Sequence, residues 1–214
     1  MLSTNDVNNI NQQTYDELAD EYERRVIKRT PGNLERVKYF SSFIKTGKRV
    51  LDVGCAVGLD ILLFRNLGYE VDGVELSPKM AAYAQKRNPK ARIFIGDFLE
   101  TDITEMYDAV FTRAFIHVFP KPVALDIMHK VYSLLVDEGV AFFGVSVADE
   151  PREGWLEKDD YKNTPKRYKK LWTENELCES LVSVGFEIMD IIKPVDAEGK
   201  KRVAITVKKS LQKI

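Results

Sequence analysis

Apolar positions along this chain recur with two different spacings. Between residues 14 and about 44 they fall three and four apart: Tyr15, Leu18, Ala19, Tyr22 and Val26, then Leu34, Val37, Phe40 and Ile44. That is the period of an amphipathic helix. Pro31-Gly32 is expected to punctuate it, and Gly47 to stop the second stripe. From Arg49 onward, short apolar runs alternate with helical stretches. The runs at 50–53, 70–74, 92–95, 109–112 and 140–145 predict strands, and the stretches at 59–67, 78–87 and 122–135 predict helices. Such alternation predicts βαβ units and a parallel sheet covered on both faces. Right-handed crossovers then favour a doubly wound α/β sheet.

The pattern changes again at 149–170, which is polar, holds Pro151 and Pro165, and carries Trp155, Tyr161 and Tyr168, with Trp172 just beyond. A long loop or short-helix insertion near the sheet edge is expected, its aromatics either lining a pocket or covering that edge. Thr173 followed by Glu176 suits a capping box for a helix over 173–184 that Gly185 ends. A strand at 186–192, a hairpin through 196–201 and a final strand at 202–208 complete the pattern. There is no internal repeat.

Composition narrows the function classes. The 214 residues carry 32 Lys+Arg against 33 Asp+Glu, a formal net charge of -1 that argues against a general nucleic-acid binder. With 44% hydrophobic residues the chain can fill one ordinary core. Cys55 and Cys178 are far apart and match no metal or disulfide spacing, so a reducing compartment is expected. The first residues lack the apolar segment of a signal peptide, and no run approaches the roughly 20 apolar residues of a membrane span. A cytoplasmic protein is expected. Lys200, Lys201, Arg202, Lys208, Lys209 and Lys213 make the tail basic and are expected to be solvated.

The sharpest chemical signal is the run 49–60, Arg-Val-Leu-Asp-Val-Gly-Cys-Ala-Val-Gly-Leu-Asp. A strand leads into a turn of small residues, Gly54, Cys55, Ala56 and Gly58, where backbone can approach a ligand closely. Asp52 sits near the carboxyl end of that strand, where open α/β sheets take their ligands; a carboxylate there disfavours phosphate and suits an ammonium or sulfonium. Glu75, followed by Leu76, ends the second strand and is suited to accept from both hydroxyls of a ribose. Asp97 follows the third strand and suits an exocyclic adenine amine, with Phe98 as an apolar wall or backbone contact. A dinucleotide fingerprint would need glycines at 54, 56 and 59, but the chain has Ala56 and Leu59.

This run resembles the class I S-adenosylmethionine-dependent methyltransferases, especially their small-molecule branch. The family's first motif matches Asp52, Gly54 and Gly58, its ribose-binding acid Glu75, and its adenine-side acid Asp97. Residues 107–117 resemble its fourth strand and the following loop, 134–139 the turn before its fifth strand, and 172–186 its C-terminal helix and strand. The similarity covers roughly residues 14 to 209 of the chain. It implies a seven-stranded, mostly parallel sheet with an antiparallel last strand and an N-terminal helical cap. The organisation is a single domain: cap 1–46, cofactor-binding core 47–148, insertion over the acceptor site 149–172, and C-terminal helix and hairpin 173–214. The cofactor implied is S-adenosyl-L-methionine and the partner a small-molecule acceptor, without nucleic acid, membrane or metal, in a monomer or homodimer. The cofactor contacts implied are Tyr15, Tyr22, Asp52, Gly54, Cys55, Ala56, Gly58, Glu75, Leu76, Asp97, Phe98 and Arg113. Ala56 replaces a usual central glycine, which binding tolerates if Ala56 keeps a negative φ.

His117 is the candidate base and Arg113 a second candidate catalytic residue, holding a substrate or cofactor carboxylate. The alternatives are a packing or capping histidine and an exposed arginine; His129 reads as structural or exposed. Tyr15 and Tyr22, seven apart, share a helical face and serve either a lid or the core. The stretch after the fourth strand, Thr112-Arg-Ala-Phe115, lacks the Asn/Asp-Pro-Pro-aromatic turn of amino-modifying nucleic-acid enzymes. Two other functions fit the same residues: cyclisation or elimination of the sulfonium, and a non-catalytic nucleoside-binding module.

Overall fold

The apolar runs pair into one sheet in the computed structural model, which describes residues 4–156, 167–193 and 201–210. Its strands are β1 (Arg49–Val53), β2 (Glu70–Glu75), β3 (Ile93–Ile95), β4 (Tyr107–Arg113), β5 (Leu135–Ser146), β8 (Phe186–Ile192) and β9 (Arg202–Lys209). They lie in the order β3-β2-β1-β4-β5-β9-β8, with β9 antiparallel between β5 and β8 and the first five parallel. This is the seven-stranded, doubly wound arrangement expected, with the last strand antiparallel. Helices α3 (Leu59–Asn66), α4 (Pro78–Arg87) and α5 (Lys121–Leu134) connect the parallel strands, and α6 (Glu174–Val184) precedes β8. Thr173 caps α6 by accepting from the Glu176 amide at 3.1 Å.

Alternation along the strands divides the core into two layers. Leu51, Val53, Val110, Ala141 and Phe143 pack with Val131, Leu134, Leu177 and Leu181 on the α5/α6 face. Val50, Ala109, Phe111, Val140 and Phe142 pack on the opposite face with Phe64 of α3 and with Val37 and Phe40 of α2 (Val26–Ser41). There Phe111 and Phe142 stack at 4.7 Å between ring centroids, with Phe40 at 5.6 Å from each.

Three expectations need correction. The first helix, α1 (Thr4–Arg24), begins ten residues before the apolar stripe does. Its early buried positions include Asn8, Asn11 and Thr14, so polar residues occupy the inward face and hide the helical period. The break before α2 falls at Arg25, and Pro31 lies inside α2, because the burial of Val37 and Phe40 outweighs one lost amide donor. The 149–172 insertion is an antiparallel ribbon, β6 (Arg152–Leu156) with β7 (Arg167–Leu171), rather than a loop or short helix. Trp155 faces Tyr168 across it, edge to face at 5.7 Å, a favourable cross-strand pair. Lys170 of β7 is buried and bonds Glu176 of α6 at 3.0 Å, tying ribbon to helix. Tyr161, Pro165, Lys200, Lys213 and the turn at 196–200 lie outside the described residues. Cys55 and Cys178 are free thiols, and among the described residues no helix is long and apolar enough to cross a membrane.

Candidate active site

The carboxyl ends of the strands open into a crevice of about 470 Å³, roofed by α1 and α2. One wall is the β1–α3 turn. Gly54 has φ +72°, and a Cβ there would meet the Phe115 ring at 2.5 Å, so glycine is required twice over. Gly58, at φ +74°, begins α3 and would clash with Ala84 at 2.8 Å. Ala56 stands at φ +48°, so the negative φ set as the condition for the alanine is not met. A left-handed alanine costs roughly 1–2 kcal/mol; its amide donates to Glu75 Oε2 at 2.8 Å, which holds the turn in place.

Glu75 closes β2 level with Ile95 of β3, which puts Asp97 just beyond the neighbouring strand end. Glu75 is buried and also accepts from the Ser77 amide at 2.9 Å. Burial raises its carboxyl to about 7, against the pull of the amides of Ser77, Ala56 and Leu76. Asp97 accepts from Asn8 Nδ2 at 2.7 Å and from the Leu99 amide at 3.0 Å. Because Asn8 must turn its NH2 toward that acceptor, its Oδ1 faces away and has no partner; Asn11 Oδ1, also buried, has none either. Both asparagines line the crevice with Tyr15, Tyr22, Gly54, Cys55, Ala56, Glu75, Leu76, Asp97, Phe98, Arg113 and His117.

The cap is docked by polar contacts to α4. Asp16 accepts from the Ser77 hydroxyl, Asp20 from Lys79 at 3.0 Å and Tyr83 at 2.8 Å, and Glu23 pairs with Arg87 at 2.6 Å. Tyr15 and Tyr22 meet edge to face at 6.2 Å on its inner side.

Asp52 and Gly58 are not part of the lining. Asp52 pairs in register with Phe111 and shares its face of the sheet, so the carboxylate sits beneath the turn. Its Oδ2 has no partner, and burial, then Asp60 and Glu75, push its pKa well up despite Arg113. Trp155, Tyr168 and Trp172 also lie outside the crevice; Trp172 is buried in the core. His129 is exposed on α5.

Sequence reasoning missed the other half of the lining. Asp60 accepts from Arg113 Nε and from Asn33 Nδ2, each at 2.8 Å. Arg29, Asn33 and Arg36 of α2, Arg167 of β7 and Arg202 of β9 join them. Arg29, Asn33 and Arg36 are four and three apart, so the face was readable from spacing alone. Arg202 is exposed, as expected of the basic tail, and because it starts the antiparallel strand opposite Ser146 it also lines the crevice at the ligand edge.

Residues 50–139 match the model of a methyltransferase domain family. Over those residues the chain is similar to the methyltransferase domains of that family. A carboxy-S-adenosyl-L-methionine synthase of Campylobacter concisus is 29% identical over 122 residues, 54% of this chain and 52% of that protein. A dTDP-4-amino-2,3,4,6-tetradeoxy-D-glucose N,N-dimethyltransferase of Saccharopolyspora spinosa is 33% identical over 85 residues, 38% of this chain and 34% of that one. The chain thus spans about half the length, or less, of the curated relatives it matches. In fold it is similar to the 1,6-didemethyltoxoflavin-N1-methyltransferase of Burkholderia thailandensis, solved with 1,6-didemethyltoxoflavin and S-adenosylhomocysteine. That likeness has a TM-score of 0.80 at 20% identity, covering 98% of this chain and 92% of the other.

The residues of the crevice fit the cofactor of the similar family, S-adenosyl-L-methionine. Glu75 and Asp97, with Asn8 and Asn11 beside them in the lining, make one end of the crevice polar and rich in carboxylate acceptors, matching the hydroxyls and amine of an adenosine. Phe98 is buried beside it, edge to face with Phe115 at 6.2 Å. Cys55 faces the same end, but burial and then Asp52 and Glu75 push its thiol pKa well up, so it is a poor nucleophile.

Proposed function

We propose that this domain transfers a methyl group from S-adenosyl-L-methionine to a small-molecule acceptor. The observation that carries the reading is the pair of carboxylates at adjacent strand ends, Glu75 and Asp97, facing the Gly54–Ala56 backbone under a docked aromatic helix. When bound, the cofactor supplies a methyl group on a sulfonium, which leaves readily and needs no covalent nucleophile from the protein. The work left to the chain is binding, alignment and exclusion of water. Glu75 would accept from the ribose hydroxyls, Asp97 and Asn8 would hold the adenine side, and Phe98 would give an apolar wall. The backbone of Gly54, Cys55 and Ala56 would hold the methionine portion, with Tyr15 and Tyr22 as its cover.

His117, buried on the turn Ile116–Val118 that follows β4, is the residue that would take a proton from an acceptor hydroxyl or amine. Arg113 has a different role. Its guanidinium cannot act as a base, and Asp60 holds it charged; it positions charge beside the acceptor.

The test is incubation of the purified protein with methyl-labelled cofactor and a metabolite extract. S-adenosylhomocysteine and a labelled small molecule are expected. Methylthioadenosine as by-product, or no consumption of cofactor, contradicts the reading.

A further inference from the structure

The crevice is divided by charge along the order of the strands. On the β2/β3 side its charged groups are Glu75 and Asp97; beyond β1 they are mainly arginines. Arg113 ends β4 level with Gly144 of β5, and Arg202 begins β9 level with Ser146, so the two cations flank β5 at the same edge. Arg36 reaches the same region from α2. Among the described residues Asp60 is the one carboxylate lining this half, and it is already engaged by Arg113 and Asn33 at 2.8 Å each.

Arg36 is the informative member. It is half-buried, makes no ion pair among the described residues, and its hydrogen bond to Asn33 Oδ1 is long, at 3.3 Å. Burial and then the charge of Arg113 lower its pKa; Asp60 pulls the other way and Arg202 adds to the lowering. A cation crowded by like charge, with Asp60 already bonded to Arg113 and Asn33, is an unfavourable arrangement. It becomes favourable when an anion enters, since a guanidinium fork bonds an oxyanion through two parallel N–H groups.

We infer that the methyl acceptor carries an oxyanion, a carboxylate or a phosphate, which Arg36 binds in the field of Arg113 and Arg202. This rests on the cofactor reading of the opposite half. The acceptor must enter with the charged group toward α2 and β9, which leaves its nucleophilic atom facing His117 and the Gly54–Ala56 turn.

The experiment must separate this site from the cofactor's own carboxylate. The protein is first titrated with S-adenosylhomocysteine by calorimetry, then held saturated, so that any subsite for that carboxylate is filled. Inorganic phosphate, acetate and neutral acetamide are added in turn while the arginine Nε–H resonances are followed by NMR. Saturable shifts of Arg36 with phosphate or acetate, and none with acetamide, are expected; the stronger anion identifies the group. Arg36→Gln should weaken that binding at least tenfold while S-adenosylhomocysteine affinity stays within twofold, and Arg36→Lys should retain part of it. The retained affinity of the Gln variant also reports its folding. Arg202→Gln should weaken the anion less, through loss of field. No shift in the saturated protein, equal shifts with acetamide, or an Arg36→Gln variant that loses S-adenosylhomocysteine instead overturns the inference. Failure of the first titration overturns the proposed function itself, and the inference with it.

Discussion

The two halves of the crevice are built in different ways. The β2/β3 half is assembled mainly from residues adjacent in sequence to strand ends, with Asn8 of α1 on Asp97, and much of its hydrogen bonding is to backbone: Glu75 to the amides of Ala56 and Ser77, Asp97 to that of Leu99. The β4/β9 half is assembled from side chains of α2, β4, β7 and β9, brought together by topology. A ligand common to many related proteins can be held by backbone and strand ends, which change little when side chains vary. An acceptor particular to one protein is read by side chains, which can be exchanged without disturbing the fold.

Glu75→Ala should break the first half and leave the second intact. On the proposed reading it removes two charge-assisted hydrogen bonds to the ribose, so S-adenosylhomocysteine affinity should fall at least about 100-fold by calorimetry. Unchanged affinity would remove Glu75 from the site. His117→Ala should lower kcat by about 100-fold with little effect on cofactor affinity if the acceptor must lose a proton; full turnover would remove it from the mechanism.

The raised carboxyl of Glu75 makes a signed prediction. Its folded pKa, about 7, lies above the ordinary 4.5, so the folded chain keeps a proton that the unfolded chain releases. Stability from this group is fully present below about 4.5 and is lost as pH rises to about 7, and Asp52, also raised, acts in the same direction. Affinity for S-adenosylhomocysteine should move oppositely, rising up to tenfold per pH unit and levelling above about 7. Thermal melts and calorimetry across that range check both signs, and Glu75→Gln should flatten the affinity trend.

The smallest effect concerns the turn between the halves. Ala56→Gly relieves a left-handed alanine and should raise stability by about 1 kcal/mol, some 2–4 °C in a chain of this size. An unchanged or lower Tm would mean that the turn carries no such strain.

The same division explains what was legible in the sequence. Gly54, Glu75 and Asp97 announce themselves because each stands next to a run of strand-forming residues, and between Arg49 and Ser146 the alternating helices and strands lie close to their expected places. Asn8 and Asn11 were hidden because polar residues on a buried face erase the apolar stripe that marks a helix. Arg202 is exposed as the basic tail suggests, but its place at the crevice is not legible, because only the insertion of β9 between β5 and β8 carries its first residue to the ligand edge. Asp52 read as a ligand contact from its place near the end of β1, yet its register with Phe111 turns it beneath the glycine turn. The ribbon β6/β7 is not legible in the sequence because five-residue strands with Arg, Lys and Glu around the aromatics lack a clear alternation.

A crystal structure of the protein with S-adenosylhomocysteine tests the division most directly. The account predicts the adenosine between Glu75 and Asp97, the sulfur near Gly54 and Ala56, and Arg36 and Arg202 left facing open crevice. A nucleoside lying over the arginines, or a crevice closed to the ligand, would contradict it.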